Sequence, residues 1–160
     1  MIKKIIGISL LATAFSANAD FNINTSHGKF SISSKDSVGI QDLQTYKINN
    51  KVVGHSEYIE VDGKLLGMSD GSDYLVIRGS IGASACAEAL SIVEIKGNKA
   101  SFSPSLHACG GVDNVSFNNG VVTVTAWARD GETLITYVVD GKKVLENGKG
   151  MLTKYSFLSR

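Results

Sequence analysis

Proline and cysteine are scarce in this sequence, and each scarcity excludes a class of protein. A single proline accompanies 17 glycines among the 160 residues, and the apolar residues are largely valine and isoleucine in short runs. This composition argues against a disordered chain and against a helical bundle. The two cysteines lack the C-x-x-C spacing that is typical of a redox-active thiol pair. Short strands joined by glycine turns are the expected architecture.

The sequence also lacks an excess of charge and, beyond its first residues, a long apolar run. Residues 1–19 contribute two lysines and no acid, so 14 basic side chains face 15 acidic ones in the remainder. This balance excludes the basic surface that nucleic-acid binding requires and the polybasic patch of a membrane-bound protein. No later segment approaches the roughly 18 consecutive apolar residues of a membrane helix. We therefore expect no nucleic-acid partner, and no membrane anchor after signal cleavage.

The first residues have the three-part layout of a secretory signal peptide. Two lysines precede an apolar run over residues 5–15, and small residues of the A-x-A type end at Ala19. Residues 1–19 are predicted to be a signal peptide, and residues 20–160 a single β-rich domain. The predicted location of the mature protein is the bacterial periplasm or the medium.

Turn signals recur at short intervals along the chain. Asn-Gly and Asp-Gly pairs tolerate the positive φ angles of tight hairpin turns. The signals are His27-Gly28-Lys29, Asn49-Asn50-Lys51, Asp62-Gly63-Lys64, Asp70-Gly71-Ser72, Gly97-Asn98-Lys99, Asn118-Asn119-Gly120, Asp130-Gly131-Glu132, Asp140-Gly141-Lys142 and Asn147-Gly148-Lys149. The pattern predicts an all-β fold, an antiparallel meander of about eight to ten strands that forms a sandwich or a partly closed barrel.

The sequence predicts the positions of two hairpins and one central strand. Residues 121–127 and 133–139 are rich in β-branched side chains and bracket Asp130-Gly131, which predicts a hairpin. Residues 74–78 are predicted to form a more fully buried central strand. Residues 58–61 and 65–68 flank Asp62-Gly63, and we expect them to form another hairpin.

The two cysteines lie symmetrically about Gly97-Asn98. A two-residue turn there pairs Val93 with Phe102, puts Leu106 on their face of the hairpin, and brings Cys86 opposite Cys109. The only proline, Pro104, lacks an N–H and predicts a bulge that shifts the pairing beyond it by one residue. In either register the sulfurs stay close enough to bond. A structural disulfide is therefore expected, with a contribution of roughly 3 kcal/mol to stability.

The segment around these cysteines resembles a pattern in uncharacterised small exported bacterial proteins. The pattern joins small residues before a cysteine, in Gly79-Ser80-Ile81-Gly82-Ala83-Ser84-Ala85-Cys86, to Ser103-Pro104 and to His107-Ala108-Cys109-Gly110. It covers about residues 73 to 140. The resemblance implies a shared β-rich domain pinned by one disulfide, and it implies no catalytic residue and no substrate.

No recognisable catalytic or metal-binding motif stands out. Residues 82–86 lack the final glycine of a nucleophile elbow, and the three histidines lack the spacing of a zinc site. Asp70-Gly71-Ser72-Asp73 lacks the alternating acids of a calcium loop. The sequence therefore predicts no catalytic residue, no metal and no cofactor. Trp127 and Tyr137 either pack in the core or stack on a glycan or partner.

Elimination favours a periplasmic, non-catalytic binding or inhibitor protein. The preferred hypothesis is an immunity protein that neutralises an envelope-targeting antibacterial toxin, or an inhibitor of a cell-wall lytic enzyme, with a protein as the partner. The alternatives are a structural or adhesive envelope component, and a small-ligand carrier or an enzyme without a recognisable motif. The candidate partner-binding residues form an acidic tip and a glycine-containing loop. They are Asp70, Asp73, Gly110, Gly111, Asp113 and Asn114.

Overall fold

The computed structural model describes residues 21–35, 43–80, 86 and 88–151, and these residues contain strands and no helix. The predicted signal peptide lies outside the described residues. The fourteen strands are β1 (Phe21–Thr25), β2 (Gly28–Lys35), β3 (Leu43–Ile48), β4 (Lys51–Ser56), β5 (Ile59–Ser69), β6 (Ser72–Ser80), β7 (Ala89–Lys96), β8 (Lys99–Phe102), β9 (Leu106–His107), β10 (Val112–Asn118), β11 (Val121–Trp127), β12 (Leu134–Asp140), β13 (Lys143–Glu146) and β14 (Lys149–Gly150).

The strands form three antiparallel sheets, each of which is largely a meander. The N-terminal sheet has the order β1-β2-β3-β4, the central sheet β5-β6-β7-β8 with β9 also paired to β7, and the C-terminal sheet β10-β11-β12-β13-β14. The predicted all-β antiparallel class is confirmed, and the sheets do not close into a barrel. The fourteen strands outnumber the eight to ten expected, and two of the additional ones, β9 and β14, have only two residues, too few to show an alternating pattern.

The central sheet is buried on both faces. On β6, the side chains of Leu75 and Ile77 belong to a core shared with the N-terminal sheet. The side chain of Val76 between them belongs to a second core shared with the C-terminal sheet. Because successive side chains of a strand point to opposite faces, the central sheet is the middle of three layers. The predicted burial of residues 74–78 is confirmed at these three positions.

The hairpin between the cysteines follows the predicted register as far as Phe102, which pairs with Val93. Beyond Pro104 the pairing shifts by one residue, since Leu106 lies opposite Leu90 rather than Ala89. The predicted bulge is therefore confirmed. It also corrects one expectation, because the shift turns Leu106 into the second core, on the opposite face of the sheet from Val93.

The hairpin expected at Asp62-Gly63 is wrong. β5 runs without a turn from Ile59 to Ser69 and pairs with β6 along its length, with two irregularities of register. Asp62 lies opposite Arg78, whose guanidinium donates hydrogen bonds of 3.0 and 2.7 Å to the two carboxylate oxygens. An Asp-Gly pair permits a turn, but cross-strand pairing with β6 keeps this one extended.

Buried hydroxyl groups are paired within the N-terminal sheet and between the connection that leaves it, at Tyr58, and the central sheet. The Tyr58 hydroxyl donates to Ser105 Oγ at 2.8 Å and lies 3.0 Å from Ser91 Oγ. The Tyr46 hydroxyl lies 2.6 Å from Ser56 Oγ. Burial raises the pKa of both tyrosines above the ordinary value. These contacts satisfy polar groups that would otherwise be costly inside the core.

Candidate functional site

The predicted disulfide is present between Cys86 and Cys109. It lies at the end of β9, where the Ala108 N–H donates to the Glu88 carbonyl over 3.0 Å. The bond therefore ties the segment before β7 to the segment that leads into β10. Cys86 is buried, while Cys109 is partly exposed.

The loop that follows Cys109 is fastened to the end of β11. The Gly110 N–H donates to the Trp127 carbonyl, and the Trp127 N–H donates to the Gly111 carbonyl, both over 2.9 Å. Further along, a β-bulge falls between Val112 and Asn114, and Thr125 Oγ1 donates to Asp113 Oδ2 over 3.0 Å. Four of the predicted partner-binding residues thus lie beside the only tryptophan of the chain.

Trp127 faces away from the core. Val122, Val124 and Ala126 of β11 are buried in the second core, so alternation directs the intervening side chains outward. Trp127 is half-buried, and its cross-strand neighbour Leu134 is 43% exposed. We name this outward surface, formed by Trp127, Leu134, Thr125, Thr136, Asp113 and Asn114, the tryptophan face. Tyr137, by contrast, is buried in the second core.

A charged loop borders the tryptophan face between β11 and β12. Its exposed charged side chains are Arg129, Asp130 and Glu132. The Asp130 carboxylate accepts the Thr133 hydroxyl at 2.6 Å and the backbone N–H groups of Thr133 and Glu132. These bonds, chiefly the one from the Thr133 hydroxyl, lower the pKa of Asp130 to about 2. Together with Asp113 on the face itself, the exposed charged groups of this loop are more often acidic than basic.

The predicted acidic tip divides into one exposed and one buried residue. Asp70 is exposed in the turn between β5 and β6. Asp73 is 0% exposed, and its Oδ2 accepts the backbone N–H and the hydroxyl of Ser26. Asp73 therefore joins two sheets and does not belong to an exposed binding tip. Asp70 lies at the start of β6, while the Cys86–Cys109 bond lies beyond its far end, so the two predicted groups are not brought together.

A groove that the sequence did not reveal opens between the central and C-terminal sheets. Its volume is about 440 Å³. Most of its walls are apolar, and Glu94 and Lys142 bring opposite charges to it. The lining residues are Tyr74, Ile92, Glu94, Ser101, Phe102, Ser103, Pro104, Val139, Gly141, Lys142 and Val144. They come from five strands and their connections, and only the stacking of two sheets brings them together.

One group of potential metal ligands occurs among the described residues. The sulfurs of Cys86 and Cys109 and a ring nitrogen of His107 lie within 4.8 Å of one another. In this structure the two sulfurs are bonded to each other. His27 and His55 make other contacts, with the Gly71 carbonyl and the Thr45 hydroxyl.

In the part of the chain that the structure describes, no helix has the length and apolar character needed to cross a membrane.

Comparison with known proteins gives no relative for this arrangement. The resemblance of the cysteine segment to exported bacterial proteins stays a prediction. No protein-family model, no curated protein and no solved structure matches the chain.

Proposed function

We propose that this chain is a non-catalytic binding protein of the bacterial envelope that inhibits a protein partner through the tryptophan face. One observation carries the proposal, which is the outward pair of Trp127 and Leu134 braced by the loop behind the disulfide. Tryptophan is among the residue types most enriched at protein-binding hot spots, and an apolar centre with polar groups around it is the usual layout of an interface.

The support beneath this face favours tight binding. Gly110 and Gly111 each share a backbone hydrogen bond with Trp127, and the disulfide holds the residue just before them. The inner face of β11 is fixed in the second core. A face that is already ordered loses little conformational entropy when a partner binds, so more of the contact energy appears as affinity.

The charges around the face indicate the chemistry of the partner. Asp113, Asp130 and Glu132 are exposed and outnumber Arg129. A complementary partner presents an apolar pocket for Trp127 inside a basic border. An envelope-targeting toxin or a cell-wall lytic enzyme with a basic cleft fits this description, and the predicted signal peptide would deliver the chain to the same compartment.

The test first captures a protein partner and then measures whether the chain inhibits the activity of that partner. The mature chain is immobilised, a partner is captured from envelope extract or from co-expression with the product of a neighbouring gene, and cell-wall hydrolysis or killing by that partner is then measured. We expect stoichiometric inhibition by the unaltered chain. Trp127→Ala should weaken binding by more than about tenfold, the scale of a hot-spot truncation.

Met68→Ala is the matched control, because Met68 is a 64% exposed apolar side chain on β5, outside the tryptophan face. It should bind and inhibit like the unaltered chain. Equal loss in both variants would mean that the tryptophan face is not the binding surface. A captured partner whose activity is unchanged by the chain would contradict inhibition.

The groove between the central and C-terminal sheets favours a second candidate function, that of a small-ligand carrier. Its volume of about 440 Å³ lies within the range of ligand pockets. Filling it with Ser101→Trp, at an exposed position of its lining, should abolish binding of a hydrophobic dye such as anilinonaphthalene sulfonate and leave inhibition by the tryptophan face intact. Dye binding that survives this substitution would count against the groove as a site.

A further inference from the structure

Three ligand atoms of the kind that zinc prefers meet at the end of β9. The sulfurs of Cys86 and Cys109 and a ring nitrogen of His107 all lie within 4.8 Å of one another. Two donors on one zinc ion stand about 3.5–4 Å apart, given bond lengths of about 2.0–2.3 Å. Small side-chain movements therefore suffice to place all three around one ion once the sulfurs are free.

Backbone contacts hold His107 and the residue before Cys109 against the start of β7 independently of the disulfide. His107 pairs with Ala89 across the central sheet, and its carbonyl accepts the Tyr137 hydroxyl over 3.0 Å. The Ala108 N–H, between His107 and Cys109, donates to the Glu88 carbonyl. The His107 side chain is exposed, so its ring nitrogens are within reach of an ion from solvent.

We propose that the reduced form of this chain binds one Zn²⁺ ion through Cys86, Cys109 and His107, and that disulfide formation closes the site. The proposal goes beyond the inhibitory function and does not depend on it. The sequence predicts no metal site, and the proposal restricts that prediction to the oxidised chain, because the two sulfurs can become thiolate ligands only after the disulfide is reduced.

The chemistry balances with a dithiol as the reductant. The dithiol gives two electrons and two protons to the Cys86–Cys109 bond, which becomes two thiols, and is itself oxidised to a disulfide. Zn²⁺ then displaces the two thiol protons to solvent and accepts a lone pair from the neutral imidazole of His107. Three protein ligands leave the fourth tetrahedral position to water or to a ligand from another molecule.

The experiment compares oxidised and reduced protein. The chain is reduced with dithiothreitol, freed of the reagent without oxygen, and titrated with Co²⁺ as a spectroscopic probe and then with Zn²⁺ against a chromophoric chelator. We expect one ion per reduced chain, thiolate-to-cobalt absorption with the visible bands of a tetrahedral site, and displacement by Zn²⁺. The oxidised chain should give none of these signals.

Two variants separate the site from adventitious binding. His107→Ala should weaken the affinity of the reduced chain for Zn²⁺ by more than about tenfold. His55→Ala, which removes a histidine from β4, should leave it unchanged. Cys86→Ser with Cys109→Ser lacks the bond as the reduced chain does, and it should show no cobalt spectrum.

Circular dichroism of the reduced chain covers the case in which reduction loosens the fold. If the reduced chain loses structure, Zn²⁺ should restore it and raise its melting temperature, because ligands that bind only the folded state stabilise it. Absence of binding together with absence of such restoration would overturn the proposal. So would equal affinities for the unaltered chain and His107→Ala.

Discussion

Asp73 accepts the backbone N–H and the hydroxyl of Ser26 through a single carboxylate oxygen, each over 2.7 Å. The two residues belong to different sheets and are 47 positions apart in the chain. The other oxygen, Oδ1, has no hydrogen-bond partner among the described residues. One buried carboxylate thus fastens the first hairpin to the start of β6.

Replacing this carboxylate should destabilise the protein. Asp73→Ala leaves the N–H and hydroxyl of Ser26 without their acceptor, and hydrogen bonds to a charged group contribute about 1.5–3 kcal/mol. We expect a loss of that size in the free energy of unfolding, measured by urea denaturation. Asp70→Asn in the neighbouring exposed turn should change it by less than about 0.5 kcal/mol. Similar losses in both would contradict the assigned role of Asp73.

The Tyr58 hydroxyl should contribute most to the free energy of unfolding when its hydrogen-bond partners, Ser91 and Ser105, are present. Tyr58→Phe leaves Ser91 and Ser105 without a buried partner, at a cost of about 1–3 kcal/mol. Adding Ser91→Ala and Ser105→Ala should recover part of this cost, because no polar group is then left unpaired. Chemical denaturation of four proteins measures the coupling: the unaltered chain, Tyr58→Phe, the double serine variant and the triple variant. If the losses in unfolding free energy are strictly additive, the Tyr58 hydroxyl does not interact with the two serine hydroxyls.

A methyl group at Gly110 should displace Trp127. An added Cβ would lie 2.8 Å from Trp127 Cβ and against the Ala128 carbonyl. We expect Gly110→Ala to shift the fluorescence of the only tryptophan and to cost about 1–3 kcal/mol. Gly150→Ala is the control, since nothing lies within 4 Å of its added Cβ. An unshifted emission spectrum in Gly110→Ala would contradict the described contact.

Alkaline pH should weaken the fold over a defined interval. Burial, followed by the negative charge of Glu146, raises the pKa of Tyr137 to about 12 from its ordinary value of 10.0. The folded state therefore retains a proton that the unfolded state releases, so stability is complete below pH 10 and falls between about pH 10 and 12.

Tyrosinate absorbance and denaturation followed across that interval measure this effect. Tyr137→Phe should make the fall in unfolding free energy less steep by up to about 1.4 kcal/mol per pH unit. An unchanged slope in Tyr137→Phe would show that Tyr137 ionises equally in both states.

Local chemistry explains what the sequence predicted well. The turn at Gly97-Asn98, the pairing of Val93 with Phe102 and the shift beyond Pro104 depend on turn type, side-chain alternation and a missing N–H, all of which are local. The same turn signals correctly marked the ends of most hairpins. The disulfide followed from this register.

Long-range contacts explain what the sequence did not predict. Asp62-Gly63 stays extended because of Arg78 opposite it, and Asp73 is buried because Ser26 comes from another sheet. The groove depends on sheet stacking in the same way. The outward orientation of Trp127 was available from the sequence, since Trp127 alternates in phase with Thr123 and Thr125 and out of phase with Val122 and Val124.

Because β6 is buried on both faces, hydrophobic burial constrains its pairing register less than it does for a strand with one exposed face. A slip of one residue normally exposes apolar side chains, but in β6 it would exchange Leu75 and Ile77 for Val76 and keep both cores apolar. The burial of apolar side chains therefore does not determine the register of β6. We infer that the register is determined by the polar residues near the two ends of the strand, because the hydrogen bonds of Asp73 with Ser26 and of Arg78 with Asp62 would be lost after a slip of one residue.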